Sequence, residues 1–216
     1  MCHSRNFLKY DSIADIDEGS LVERLIRDQH WRLRLLGIHG IPRASIPFQR
    51  VPLSGLPGRP QGDVDILLSD PERPDIATAI QVKRIKVGAA ALQNRRPNKV
   101  QEFKEGVRQA NLLAKIGFSQ VYLYVLVVVD SREKNAGRNT YKGLPPELSR
   151  VIEGAISPRN LDKRVGLMYH QFVQPMDYEP LGTGTYFGHL VRLAESAVQP
   201  EDVTAWVAQV TAAGPS

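Results

Sequence analysis

The twelve residues SQVYLYVLVVVD, Ser119 to Asp130, constrain the fold of this chain more than any other stretch. The run is almost continuously β-branched or aromatic and lacks the apolar–polar alternation of a strand that wets one face. It reads as a strand buried on both faces, covered on each side by other elements. Its apolar part, Val121 to Val129, is strand-sized, too short to cross a bilayer as a helix, and closes on Asp130.

The flanking segments supply the cover. Asn98 to Ile116 carries Val100, Phe103, Val107, Ala110 and Ala114 on one stripe, which predicts a helix stopped by Gly117. Upstream, GDVDILLS and IATAIQVKRIKV are two strand-like runs separated by the turn-forming SDPERPD, a hairpin by spacing. Residues 42 to 61 hold five prolines around an extended piece near Ile46 to Leu53, which suits an edge strand followed by a turn. SLVE, with Ser20 and Glu23 as a capping box, predicts a first helix from Ser20 to about Leu36. Helix, strand, strand, strand, helix, strand is the order of an α/β sandwich with a mixed central sheet. Beyond the polar loop after Asp130, the sequence predicts a helix near Glu147 to Ile156 and a strand near Val165 to Val173. A helical segment follows near Phe187 to Ala197, and a last helix from Pro200 to Ala213. The whole chain, 1–216, is expected to form one domain, with a core over 18–130 and a C-terminal α/β elaboration over 131–216. The elaboration would complete the sheet or mediate dimerisation.

Within GDVDILL, strand alternation puts Asp63 and Asp65 on one face and Val64, Ile66 and Leu68 on the other. Two carboxylates side by side cost stability unless something positive lies between them. On the partner strand Gln81 and Lys83 share a face. If the two polar faces coincide, an acid pair, an amide oxygen and an ammonium converge at one end of the sheet. Mg²⁺ suits such a set, since it takes carboxylate and carbonyl oxygens and keeps several waters. With a lysine beside it, phosphodiester hydrolysis is the natural reaction class.

GDVD on one strand and QVK on the next, 15 residues apart in an αβββαβ order, resemble the PD-(D/E)XK nucleases. The likeness is closest to the Mrr-like restriction endonuclease branch, in which glutamine replaces the acid of the second motif. The resemblance spans about 18–130 and implies a restriction-endonuclease-like fold with Mg²⁺ or Mn²⁺ as cofactor. It assigns the main metal-binding acid to Asp65, the second metal-facing position to Gln81 and the catalytic lysine to Lys83. It makes Glu23 the metal-linked glutamate of the first helix, although the capping box also accounts for that residue, and Asp63 a supplementary acid. The neutral Gln81 leaves the site with less negative charge for a metal. Relatives with a glutamine and a tyrosine on the later helix suggest Gln109, but Leu113 stands where the tyrosine would be, and Gln109 reads as a surface residue opposite the apolar stripe.

Charge agrees with a polyanionic partner. The chain carries a formal +5, and from Lys83 to Lys99 it has Lys83, Arg84, Lys86, Arg95, Arg96 and Lys99 and no acid. That cluster, with Lys104 and Arg108 on one flank of the helix, is where a phosphate backbone would be held. DNA is expected ahead of RNA, with a homodimer as a further expectation. The single cysteine, Cys2, excludes an internal disulfide and a multi-cysteine zinc site, and the five histidines have no ligand spacing. The N-terminal MCHSRNFLKYDS is polar and no segment suits a membrane span, so a cytoplasmic protein is expected.

Two other readings use the same residues. One is a nuclease-like module that binds nucleic acid or protein without turnover, which the neutral Gln81 favours. The other is a polymerase-β-type nucleotidyltransferase, in which Ser54-Gly55 precedes DVD and Asp130 supplies a third acid. That reading gives Lys83 no role.

Overall fold

The structure, a computed structural model, describes residues 16–27, 41, 45–56, 62–87, 100–130, 146–155, 158–174 and 186–214. Its centre is the apolar run, which forms β4 (Gln120–Asp130), with Val121 to Val129 all buried. On one side β4 runs parallel to β3 (Arg73–Val87), and on the other parallel to β5 (Val165–Gln174). Parallel neighbours need a crossover, and α2 (Val100–Ile116) supplies the one between β3 and β4. The hairpin forms as the spacing predicts, β2 (Asp63–Asp70) pairing antiparallel with β3 across a turn at Pro71 and Glu72. β1 (Ile46–Pro52) adds antiparallel to β2 as an outer strand, which accommodates Pro47 and Pro52. Among the described residues the sheet is mixed and six-stranded, in the order β1-β2-β3-β4-β5-β6.

The last of these strands corrects an expectation. The segment predicted as helical over 187–197 is instead β6 (Tyr186–Arg192), paired antiparallel with β5. Gly188 in its middle weakens a helix, and the outer edge of β5 offers unpaired backbone groups that a strand satisfies and a helix does not.

Two apolar clusters sandwich the sheet. On one face, Leu21, Val22 and Leu25 of α1 (Glu18–Arg27) pack with Ile66, Leu68, Ile80, Val82, Tyr124 and Met168. On the other lie α2, α3 (Pro146–Ala155) and α4 (Glu201–Ala213), through residues such as Phe103, Val107, Leu148, Ile152, Val203 and Trp206. α1 begins two residues before the predicted start. Asp17 caps it, accepting from the Ser20 N–H at 2.9 Å and from the Ser20 hydroxyl at 2.7 Å, so Ser20 is the receiver of a cap and not the cap itself. The predicted continuation to Leu36 lies outside the described residues.

Gln199, a buried side chain, helps to stitch the C-terminal segment to the sheet. Gln199 Oε1 accepts from the backbone N–H groups of Ala77 (3.4 Å) and Ser119 (3.2 Å), while its Nε2 donates to Pro74 O at 2.8 Å. Gln199→Leu leaves those backbone groups unpaired in the interior and is expected to cost about 2–4 kcal/mol. Urea unfolding should register this as a lower midpoint with an unchanged slope, and an unmoved midpoint would contradict it. Among the described residues, no helix is long and apolar enough to cross a membrane.

Candidate functional site

The sheet opens at Asp65. On one side, β1 pairs Gln49 with Ile66 and Val51 with Val64, and the ladder skips Arg50 and Asp65 between them. On the other side, the β2–β3 pairing towards this end stops at Ile66 opposite Ile80, although β3 continues to Val87. The expected alternation fails at the same point: Val64 packs in the α2-side cluster with Leu67, whereas Ile66 and Leu68 pack on the α1 side. Val64, Ile66 and Leu68 therefore do not form one apolar set, because period 2 holds only while the ladder is unbroken.

Parting from β2 leaves two N–H groups on β3, two residues apart, and carboxylates take both. Val82 N–H donates to Asp65 Oδ2 at 2.7 Å, and Arg84 N–H donates to Glu18 Oε2 at 2.7 Å. The Gln81 amide Nε2 also donates to Asp65 Oδ2. Asp65 Oδ1 is left without a hydrogen bond among the described residues. Gln81 is 2% exposed, and its Oε1 is buried with no partner. A buried amide oxygen left unpaired costs about 1–3 kcal/mol, which a bound ligand would recover.

Lys83 joins the acids from the opposite layer. Its stem lies on Gly106 of α2, so closely that a Cβ there would collide with Lys83 Cγ and sit 3.2 Å from Cδ. Its ammonium is 3.7 Å from Glu18 Oε1 on α1, on the other side of the sheet, which is possible because β2 no longer blocks the gap. Burial pushes the Asp65 carboxyl up to about 6; the Val82 N–H and the charge of Lys83 pull it down, and Glu18 and Asp63 push it further up.

Of the residues singled out from the sequence, Asp65, Gln81 and Lys83 come together. Asp63 stands exposed at the start of β2, opposite Pro52, near enough to act on Asp65 through its charge. Glu23 is not brought to this set. It is exposed on α1 and pairs with Arg27 at 2.6 Å. The helix glutamate beside Asp65 is Glu18, which sequence reasoning passed over. Its signal was the spacing Glu18, Val22, Leu25, which puts it on the buried stripe of α1 that Glu23 avoids.

The residues of the expected phosphate footprint have different surroundings. Arg84 is half-buried and ties α1 to β3, its guanidinium donating to Ile16 O in addition to the N–H contact with Glu18. Arg108 is exposed but spends its charge on Glu105, with contacts at 2.5 and 2.9 Å. Lys86 is half-buried on β3, and Lys104 is exposed on α2. Arg95, Arg96 and Lys99 lie outside the described residues. Gln109 is half-buried with its Oε1 buried and unpaired, so it is not the surface residue that the helix wheel suggested.

The donors fit a hard divalent ion. Two carboxylates, Asp65 and Glu18, line a cavity of about 40 Å³ with Gly19, Val22, Gln49 and Arg50, and the Gln81 amide that donates to Asp65 carries the unpaired oxygen. Among the described residues no group of three or more His, Cys, Asp or Glu side chains assembles, so any ion here would depend on Gln81 and water for its remaining oxygens. Ser54 and Gly55 sit in a short 3₁₀ turn, and Gly55 packs on Trp206, where a Cβ would be 2.9 Å from Nε1. That packing ties the turn to α4. Comparison with protein-family models finds none that matches the chain, and comparison with curated proteins finds no match either.

Proposed function

We propose that the chain is a metal-dependent nuclease of the PD-(D/E)XK type that hydrolyses phosphodiester bonds, in DNA ahead of RNA. The observation that carries this reading is the meeting of Asp65, Glu18, the unpaired Gln81 oxygen and the Lys83 ammonium where β2 leaves β3. Asp65, Glu18 and Gln81 would hold Mg²⁺ or Mn²⁺. When bound, the ion supplies Lewis-acid polarisation of a phosphoryl oxygen and makes hydroxide available near neutral pH. Asp65, held near 6, is ionised at neutral pH and serves as a ligand there. The Lys83 ammonium, 3.7 Å from Glu18, would offset negative charge developing on the phosphoryl oxygens and donate hydrogen bonds that orient the attacking water. Packing on Gly106 fixes its reach.

The test is incubation with linear DNA, circular DNA and RNA, in Mg²⁺, Mn²⁺ or EDTA, beside Asp65→Ala and Lys83→Ala. Cleavage that needs metal and disappears in both variants supports the reading. Binding without cleavage under every condition overturns it in favour of a silent binding module, the reading favoured by the presence of only two carboxylates at the split among the described residues. Incorporation of labelled nucleotide into a primer or protein would mark a transferase instead.

The two helix glutamates separate by substitution. Glu18→Ala should lower the cleavage rate about tenfold or more, through loss of a ligand beside Asp65. Glu23→Ala removes only an exposed ion pair, and its rate should stay within about twofold of wild type. The reverse order in a steady-state assay would return the ligand role to Glu23.

A further inference from the structure

We infer that Arg50 grips a nucleic-acid phosphate next to the one that reacts, in the cleft that opens from Asp65. This inference rests on the nuclease reading for its substrate. Arg50 occupies the position of β1 that the ladder skips opposite Asp65, and at φ +50° it is the one non-glycine residue with positive φ among the described residues. L-residues adopt that conformation at a cost, so the chain spends stability to hold this side chain where it is.

Its guanidinium lies on Gly19 of α1, where a Cβ would collide with Nη2 and Cζ. Two spaces meet there. The small cavity is lined by Glu18 and Asp65 and has the size for an ion, and a cleft of about 340 Å³ is lined by Asp17, Gly19, Ser20, Glu23, Gln49 and Arg50. Gly19, Gln49 and Arg50 belong to both, so a chain with one phosphate at Asp65 can place its neighbour in the larger cleft.

The charges leave Arg50 uncommitted. Asp17 accepts from Ser20, Glu23 pairs with Arg27, Glu18 holds the Arg84 N–H and faces Lys83, and Asp65 accepts from Gln81 and Val82. Arg50 forms no hydrogen bond or ion pair with any described residue. Gln49 fixes the wall beside it, donating to Gly19 O at 3.0 Å. A planar guanidinium presents parallel N–H donors that match two phosphate oxygens, which suits a phosphodiester backbone better than a point cation would.

The test measures binding and turnover separately. Binding of a labelled DNA duplex is followed by fluorescence anisotropy in EDTA over a range of salt, for wild type, Arg50→Gly, Arg50→Lys and Gly19→Ala. Arg50→Gly relieves the backbone conformation, so its thermal stability should equal or exceed wild type. It should weaken binding about tenfold and lower the slope of log affinity against log salt by about 0.9. In Mg²⁺ it should raise KM about tenfold with kcat within about threefold. Gly19→Ala keeps Arg50 but displaces its guanidinium and should move the same quantities in the same direction, while Arg50→Lys recovers part of the salt slope. Wild-type affinity, salt slope and KM in Arg50→Gly would overturn the inference, and with cleavage intact the nuclease reading would stand. A wild-type protein that cleaves nothing, but whose salt slope still falls in Arg50→Gly, would sink the hydrolytic reading and keep the phosphate contact.

Discussion

Asp65→Asn is expected to abolish metal-dependent cleavage, by about 10³-fold or more, while making the metal-free protein more stable at neutral pH. The two effects have one cause. Burial holds the carboxyl near 6 against an ordinary value of 3.8, so between those values the folded protein retains a proton that the unfolded chain has released. Stability therefore falls as pH rises through that window, and above about 6 the ionised carboxylate leaves the fold about 3 kcal/mol poorer. Asparagine can still accept from Val82 N–H through its amide oxygen but carries no charge to desolvate. Urea unfolding in EDTA should show the two proteins alike near pH 4 and the variant more stable by about 2–3 kcal/mol at pH 7 to 8. Because a ligand carboxylate must lose its proton to bind, Mg²⁺ affinity in wild type should also fall about tenfold per pH unit below about 6 and level off above it. A stability difference independent of pH would mean that burial does not raise the Asp65 carboxyl.

Gly106→Ala is expected to lower kcat about 100-fold without unfolding the protein. The added methyl takes the space of the Lys83 stem and lies 3.3 Å from Leu123 Cδ1, so Lys83 must swing away. A displacement of roughly 1 Å at a catalytic group can cost about two orders of magnitude in rate. Alanine is the better helix former by about 1 kcal/mol, which offsets part of the lost packing within α2. The readouts are kcat at saturating metal and substrate, with a thermal melt as control. Wild-type kcat in a folded Gly106→Ala protein would show that the reach of Lys83 is not set by this contact.

Most of the mixed α/β architecture was legible because it is written in patterns that tertiary context does not override. β4 announced itself by apolar continuity, the β2–β3 hairpin by turn residues, and α2 by its stripe and stop glycine. β6 was misread because a short apolar segment with one glycine satisfies a helix and a strand template about equally, and only the open edge of β5 decides between them. The triplet Asp65, Gln81 and Lys83 was legible because the last registered pair of the hairpin, Ile66 opposite Ile80, leaves the next residues of the two strands, Asp65 and Gln81, side by side, with Lys83 two residues on.

What escaped depends on where the register breaks. Strand alternation presumes an unbroken ladder, and both ladders beside Asp65 are interrupted, which is why Val64 joins Leu67. Glu18 escaped because the cap was placed at Ser20; a helix that starts at Glu18 puts this residue, and not Glu23, over the sheet. Arg84 looked like an exposed cation from its neighbours in sequence, yet the meeting of α1 with β3 gives its guanidinium the Ile16 carbonyl. Gly106 and Arg50 carry no motif at all. Their importance lies in close approaches between elements distant in sequence.

The most direct measurement is anomalous diffraction from crystals soaked in Mn²⁺. One peak is expected at the split between β2 and β3, coordinated by Asp65, with Gln81 Oε1 and Glu18 as the other protein oxygens, and no peak in Asp65→Asn crystals treated alike. Saturating Mn²⁺ that leaves the site empty, with Gln81 still bonded to Asp65 and its Oε1 still unpaired, would contradict this expectation.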